Sequence, residues 1–292
     1  MFKYALVCAL ASLTLLTSPA GAITGNYVKD FEHPYVGLAV FYDQNGVFLH
    51  RCSGSLLTPV VFLTAGHCIE GATSARVYFQ QNAGTNYDPA TQVDPVSGYP
   101  NTCAPGTEAV CTTGSTLYNF GFDAFIGFPN TKDAGLVILD NPITVAKYGA
   151  LAAPGTLNGL STKRGQKDLT FTSSGYGLSE SNPVHVTSFR ERLMASGQLV
   201  NLGNALTDGF NLQTTASPGN GRGGTCSGDS GGPTFYGGTQ SNLIVGVTSF
   251  GLNPNCRGVD FAFRTDTAAV QTWIFSTIPA SEVPKITVVP AN

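Results

Sequence analysis

The sequence predicts an all-β protein, and three observations carry that reading. The chain of 292 residues holds 35 glycines and 17 prolines, which divide it into short segments joined by many turns. Its apolar runs are short, as in Val60-Val61-Phe62-Leu63, which reads as a buried strand ending at a turn. No stretch before Asp266 has the spacing of a long amphipathic helix. The length fits one or two domains. Charged residues make up 11% and the formal net charge is −3, with no basic run to hold nucleic acid or anionic lipid.

Taken in order, the chain opens with Met1-Phe2-Lys3-Tyr4, an apolar run from Ala5 to Leu16, and small residues from Ser18 to Ala22. This is the pattern of a secretory signal peptide cleaved after Ala22, with an apolar run too short to anchor in a membrane. A secreted, extracellular protein is expected. Of seven cysteines, Cys8 leaves with the signal, and the remaining six suit disulfides in an oxidising compartment. Spacing alone leaves their pairing open. No Cys-x-x-Cys, no clustered Cys/His and no acidic cluster suggests a metal, so neither metal nor cofactor is expected.

Three elements carry chemistry. The run Val60–Leu63 leads into Thr64-Ala65-Gly66-His67-Cys68, a turn presenting a histidine. Thr131-Lys132-Asp133 leads into the apolar strand Ala134–Leu139. Gly228-Asp229-Ser230-Gly231-Gly232-Pro233 presents a serine between glycines, which permit a tight turn and close approach of a substrate carbonyl. The amides of Gly228 and Ser230 are free to converge as an oxyanion hole. All four histidines (His33, His50, His67, His185) precede Ser230. That order excludes the α/β-hydrolase arrangement, where the histidine follows the serine. An acid-first order would need Asp30 or Asp43, and neither has a strand-plus-glycine context. His, Asp, Ser remains, with Asp133 preferred over Asp123 and Asp140 because it directly precedes an apolar strand. His33 and His185 are expected in surface or loop positions, and His50 near the wall of the site.

The chain resembles the trypsin/chymotrypsin family of serine peptidases. The boxes around His67, Asp133 and Ser230 match in order, as do Ser249-Phe250-Gly251 and Gln271-Thr272-Trp273-Ile274. The resemblance implies two packed antiparallel β-barrels, about 23–145 and 146–265, then a C-terminal helix at about 266–278. The tail at 279–292, with three prolines, is expected to lie extended or disordered. Residues Gln80 to Gly121, including Tyr87, Tyr99, Tyr118 and Phe120, are expected to decorate the rim of the first barrel. Disulfides Cys52–Cys68 and Cys226–Cys256 are implied, leaving Cys103–Cys111. Ser230 would be the nucleophile, His67 the general base and Asp133 its orienter, acting on polypeptide substrates in a monomer open to protein inhibitors.

Specificity and activation follow from the same resemblance. Gly224 stands at the pocket floor where trypsin has an aspartate, with Thr225 beside it. Gly251 and Gly258 would keep the pocket open, with Ser249 and Phe250 on the substrate-binding strand. Asp260 either restores acidity from another wall or bonds to backbone, Arg257 or Arg264. Large apolar or mixed side chains are therefore expected before the scissile bond. Cleavage after Ala22 would expose Ile23, whose ammonium would pair with Asp229; the alternative is a frayed Ile23, with Asp229 served by another donor.

Overall fold

The computed structural model describes residues 23–83, 103–160, 169–182, 185–188 and 190–290, so the expected signal peptide, Tyr87 and Tyr99 lie outside the described residues. Two short strands come first, β1 (Thr24–Gly25) and β2 (Tyr27–Lys29). Then follow β3 (Val36–Tyr42), β4 (Phe48–Leu56), β5 (Val61–Thr64), the single-turn helix α1 (Gly66–Ile69), β6 (Ser74–Tyr78), β7 (Cys111–Gly114), β8 (Thr116–Asn119) and β9 (Gly135–Ile138). Seven of these strands form one sheet in the order β7-β6-β3-β4-β5-β9-β8. The stretch expected as rim decoration thus supplies two strands, β7 and β8, to the first sheet.

The second half contains β10 (Ala150–Ala152), β11 (Thr170–Gly175), β12 (Leu178–Asn182), β13 (His185–Ser188), β14 (Leu193–Asn201), β15 (Asn211–Thr215), β16 (Gly223–Gly224), β17 (Pro233–Tyr236), β18 (Leu243–Gly251) and β19 (Val259–Arg264). The strands β17-β11-β14-β15-β19-β18 run in that order, and β18 pairs back with β17, closing a barrel. Closure removes the unpaired edges that would otherwise recruit other strands. The fold is the expected one: all-β, two barrel-like sheets and a short C-terminal helix, α2 (Ala268–Thr277).

One boundary differs from expectation. Strands β1 and β2 sit on the second barrel, not the first, with Thr24 opposite Gly224 and β2 alongside β14. The apolar Ile23 side chain drives this, because it is buried against Leu193 and Ala195 of β14. The tail is docked rather than loose: Ile286 is buried, and β20 (Val288–Val289) lies parallel to β10. Helix α2 is capped by Thr267, whose hydroxyl accepts from Val270 N, and it buries Val270, Gln271 and Ile274.

The barrels meet across a polar seam. Arg192 at the start of β14 is 3% exposed and donates to the carbonyls of Asp30, Val36 and Phe79 and to the Tyr176 hydroxyl. A buried guanidinium without such acceptors would be costly, so these bonds fix the relative setting of the two halves. The disulfides Cys52–Cys68, Cys103–Cys111 and Cys226–Cys256 are all formed.

Candidate active site

Register explains why His67 and Asp133 meet. Strands β5 and β9 are antiparallel with Thr64 opposite Gly135, so the end of one and the start of the other share an edge. His67 lies three residues beyond Thr64, and Asp133 two residues before Gly135. Asp133 Oδ1 accepts from His67 N at 2.8 Å, and His67 Nδ1–H donates to Asp133 Oδ2 at 2.9 Å. Asp133 is fully buried and takes a third donor, the Ser249 hydroxyl, at 2.5 Å. Holding Nδ1 as the donor leaves Nε2 as the nitrogen able to accept a proton. Asn119 braces the turn by donating from Nδ2 to the Gly66 carbonyl. The rival acids go elsewhere: Asp140 accepts from Thr113 and Ser115, and Asp123 from Gly127 N.

The turn carrying Ser230 is lodged against that edge. Ser230 O accepts from Ser53 N of β4 at 2.8 Å, and Gly231 N donates to Thr248 O of β18 at 2.7 Å, so both barrels grip it. Gly231 has φ of +76°, and a side chain there would sit 2.6 Å from Ala65 N, two residues before His67. Only glycine allows that approach. Neither the Gly228 nor the Ser230 amide has an acceptor among the described residues. No hydrogen bond joins the Ser230 hydroxyl to His67 among the described residues. The two side chains instead line adjoining cavities that share Ser249 and Phe250.

The Ser230 cavity, of about 390 Å³, is walled by Thr225, Ser249, Phe250, Gly251 and the Cys226–Cys256 bridge, with Asp260 deep in it. Gly224 adjoins Asp260, since a β-carbon there would lie 2.5 Å from Asp260 Oδ2, and its absence makes room for the carboxylate. Asp260 is 7% exposed and accepts from Thr225 N; Arg264 is engaged elsewhere, with Asp266. Burial pushes the Asp260 carboxyl up to about 7 against the opposing bonds from Thr225. Gly258, with φ of +98°, does not line this cavity.

Residues 23–274 match the family model for trypsin. The chain belongs to the trypsin family. It is 27% identical over 223 residues to brachyurin of Leptuca pugilator, covering 75% of this chain and 81% of that protein. In fold it is similar to HL collagenase, with a TM-score of 0.61, 18% identity and coverage of 87% of this chain and 97% of the other. It is also similar to an inactivated protease paralogue of the scabies mite, S-D1, at a TM-score of 0.59, 14% identity and coverage of 87% and 97%. The family comprises serine endopeptidases and inactive homologues alike. No helix among the described residues is long and apolar enough to cross a membrane.

In this trypsin-family chain Asp229 is fully buried and accepts from Gly177 N and Cys226 N. Burial raises its carboxyl to about 7; the two amides and the Arg51 charge oppose the rise, and the Asp260 charge adds to it. Ile23 is buried against Leu193 and Ala195, and the next residue, Thr24, pairs with Gly224 of β16. His50 donates from Nε2 to Cys68 O and lines the groove beside His67, as expected. His33 corrects the surface expectation. It is 1% exposed, because Asp30 captures Nδ1 and the ring stacks on Phe235 at 4.3 Å. Sequence reasoning treated Ser249 only as substrate-binding strand and missed its bond to Asp133. It also missed Asn119 and Phe122, which flank His67, because their partners are remote in the chain.

Proposed function

We propose that this chain is a secreted serine endopeptidase. Ser230 attacks the scissile carbonyl, His67 Nε2 takes its proton and returns it to the leaving amine, and Asp133 holds the imidazole and offsets its charge. The Gly228 and Ser230 amides receive the developing oxyanion. The observation that carries the reading is His67 fixed through Nδ1 to a buried carboxylate beside a Ser230 turn gripped by both barrels. Catalytic hydrogen bonds are often long or poorly aligned before substrate arrives, and the Ser230–His67 bond forms in the substrate complex. Polypeptides are the substrates, with large apolar or mixed side chains entering the cavity above Gly224 and Asp260.

A fluorophosphonate probe tests this reading: stoichiometric labelling at Ser230, lost in Ser230→Ala and His67→Ala, is the expected result. A folded protein that stays unlabelled would instead be a non-catalytic binding module, a reading favoured by the missing Ser230–His67 bond. We further propose that leader cleavage after Ala22 frees the Ile23 ammonium to pair with Asp229. The buried Ile23 side chain and a buried carboxyl with no ion pair among the described residues support it. N-terminal sequencing of secreted protein should begin at Ile23; another start removes the activation step.

A further inference from the structure

The largest of the three cavities described here lies away from the Ser230 and His67 cavities. It has a volume of about 640 Å³, against about 390 and 560 Å³ for those two. Its lining residues include Phe120, Phe210, Phe263 and Val270, giving a half-open apolar cavity of the size that takes a small organic molecule. Arg264, paired with Asp266, and Lys132 complete it. Arg264 is 4% exposed, and its guanidinium offers five N–H groups. Asp266 takes two, through Nε and Nη2, while Asn158 Oδ1 takes a second from Nη2 and Gly209 O takes one from Nη1. One Nη1–H of this buried side chain is left without an acceptor. Lys132 at the rim is exposed and has no ion-pair partner among the described residues. Asp208 shares the rim and is exposed, and Asp266 is neutralised by its two-point pairing with Arg264.

We infer that this cavity is a binding site for a small aromatic carboxylate. The aryl group lies among the three phenylalanine rings, and the carboxylate accepts from the spare Arg264 N–H and from Lys132. An anion is selected because Lys132 is a cation with no ion-pair partner among the described residues and the spare Arg264 N–H is a second donor, while Asp208, the acid at the rim, is solvated. The site touches the peptidase reading without depending on it. Residues 120–132 wall this cavity with Phe120, Asn130 and Lys132, and the groove beside His67 with Phe122 and Phe125. Lys132, held at φ of +48°, directly precedes Asp133.

The test is calorimetric titration with 3-phenylpropionate and its neutral isostere 3-phenylpropan-1-ol, which needs no catalytic activity. The carboxylate should bind at least about tenfold more tightly than the alcohol, the equivalent of one charged hydrogen bond. Lys132→Gln should weaken the carboxylate about fivefold or more and leave the alcohol unchanged, while Asp260→Asn, in the other cavity, should change neither. Equal affinity for the two probes overturns the inference. So does a loss in Asp260→Asn with none in Lys132→Gln, which would put the ligand in the Ser230 cavity. Phe210→Ala, on a partly exposed ring, provides an independent check: it should weaken both probes in parallel, and unchanged binding would equally overturn the site.

Discussion

Two aspartate–histidine pairs in this molecule look alike and do opposite things. In each, Nδ1 of the imidazole donates to a fully buried carboxylate at 2.9 Å, and in each that carboxylate also takes a serine hydroxyl at 2.5 Å: Ser249 on Asp133, Ser174 on Asp30. They differ at the other ring nitrogen. His67 Nε2 has no partner among the described residues, and the side chain keeps 24% of its surface open to the groove. His33 Nε2 meets the Ser241 carbonyl at 3.0 Å, in a ring that is 1% exposed and stacked on Phe235. Both nitrogens of His33 are engaged, one by Asp30 and the other by the Ser241 carbonyl, and the pair acts as a buried clamp between barrels. What separates the two pairs is therefore one unsatisfied nitrogen, not the Asp–His contact, and in the proposed mechanism that nitrogen is the base.

Replacing each histidine should separate these roles most strongly. His67→Ala is expected to lower kcat by roughly 10⁴-fold or more with little change in melting temperature. His33→Ala removes the ring partner of a buried Asp30 carboxylate that keeps only the Ser174 hydroxyl and backbone donors among the described residues, and should cost about 3–5 kcal/mol of stability. The protein that remains folded should keep its kcat. Thermal melts alongside amidase assays check both. A large stability loss in His67→Ala, or a kcat collapse in folded His33→Ala, would erase the distinction.

The clamp also predicts acid sensitivity. Burial works against the Asp30 carboxylate, but the His33 bond and charge, the Ser174 hydroxyl and Arg192 outweigh it and hold the group below the usual carboxylate range. A depressed folded value means the contribution is full above the unfolded value of about 4 and is lost as pH falls through the folded value. Asp30→Asn should therefore lower stability near neutrality and flatten its decline below about pH 4, read from denaturant midpoints against pH. A variant curve parallel to wild type would show that Asp30 is not part of the acid response.

How much of this was legible in the chain differs between the two pairs. The pair proposed to be reactive announces itself, because His67 and Asp133 each adjoin an apolar strand, and an antiparallel register brings strand ends together. The glycine-bounded turn proposed to carry the nucleophile is equally plain from Gly228 to Pro233. The clamp is not, since Asp30 and His33 sit three residues apart in a segment without pattern, and Ser174, Ser241 and Arg192 join them only through tertiary packing. The same limit hid Ser249's bond to Asp133 and the docking of β1 and β2 on the second barrel. A two-residue strand carries no periodicity; the buried Ile23 decides where it goes. The assignment of Asp260 was half readable. Its bond to the Thr225 amide matched one alternative and its place in the cavity wall the other.

Asp260 supplies the contrasting case of a buried carboxyl with no imidazole, and burial leaves it raised to about 7 where Asp30 is lowered. Below neutrality Asp260 is uncharged and the base of the cavity suits apolar side chains, with the exposed Arg257 also lining it; above neutrality the Asp260 carboxylate attracts a cation. The ratio of kcat/KM for a lysine substrate over a leucine one should rise about tenfold with pH across 7, the effect of about 1.4 kcal/mol. Taking the ratio cancels titration common to both substrates, His67 included. Asp260→Asn should flatten it. A ratio independent of pH in wild type would mean that Asp260 does not sense the substrate side chain.

The serines give the finest separation. Ser174→Ala removes a donor from a carboxylate sealed inside the protein, so about 1.5–3 kcal/mol of stability should go, with kcat untouched. Ser249→Ala removes a donor from a carboxylate that keeps two bonds to His67, from its backbone and its ring. The remaining bonds still hold the imidazole, so kcat should fall only a few-fold, to about tenfold at most, with a stability loss smaller than that of Ser174→Ala. If Ser249→Ala instead matched His67→Ala in kcat, the hydroxyl rather than the two His67 contacts would be what orients Asp133, and the reactive pair would have to be redrawn as a three-residue unit.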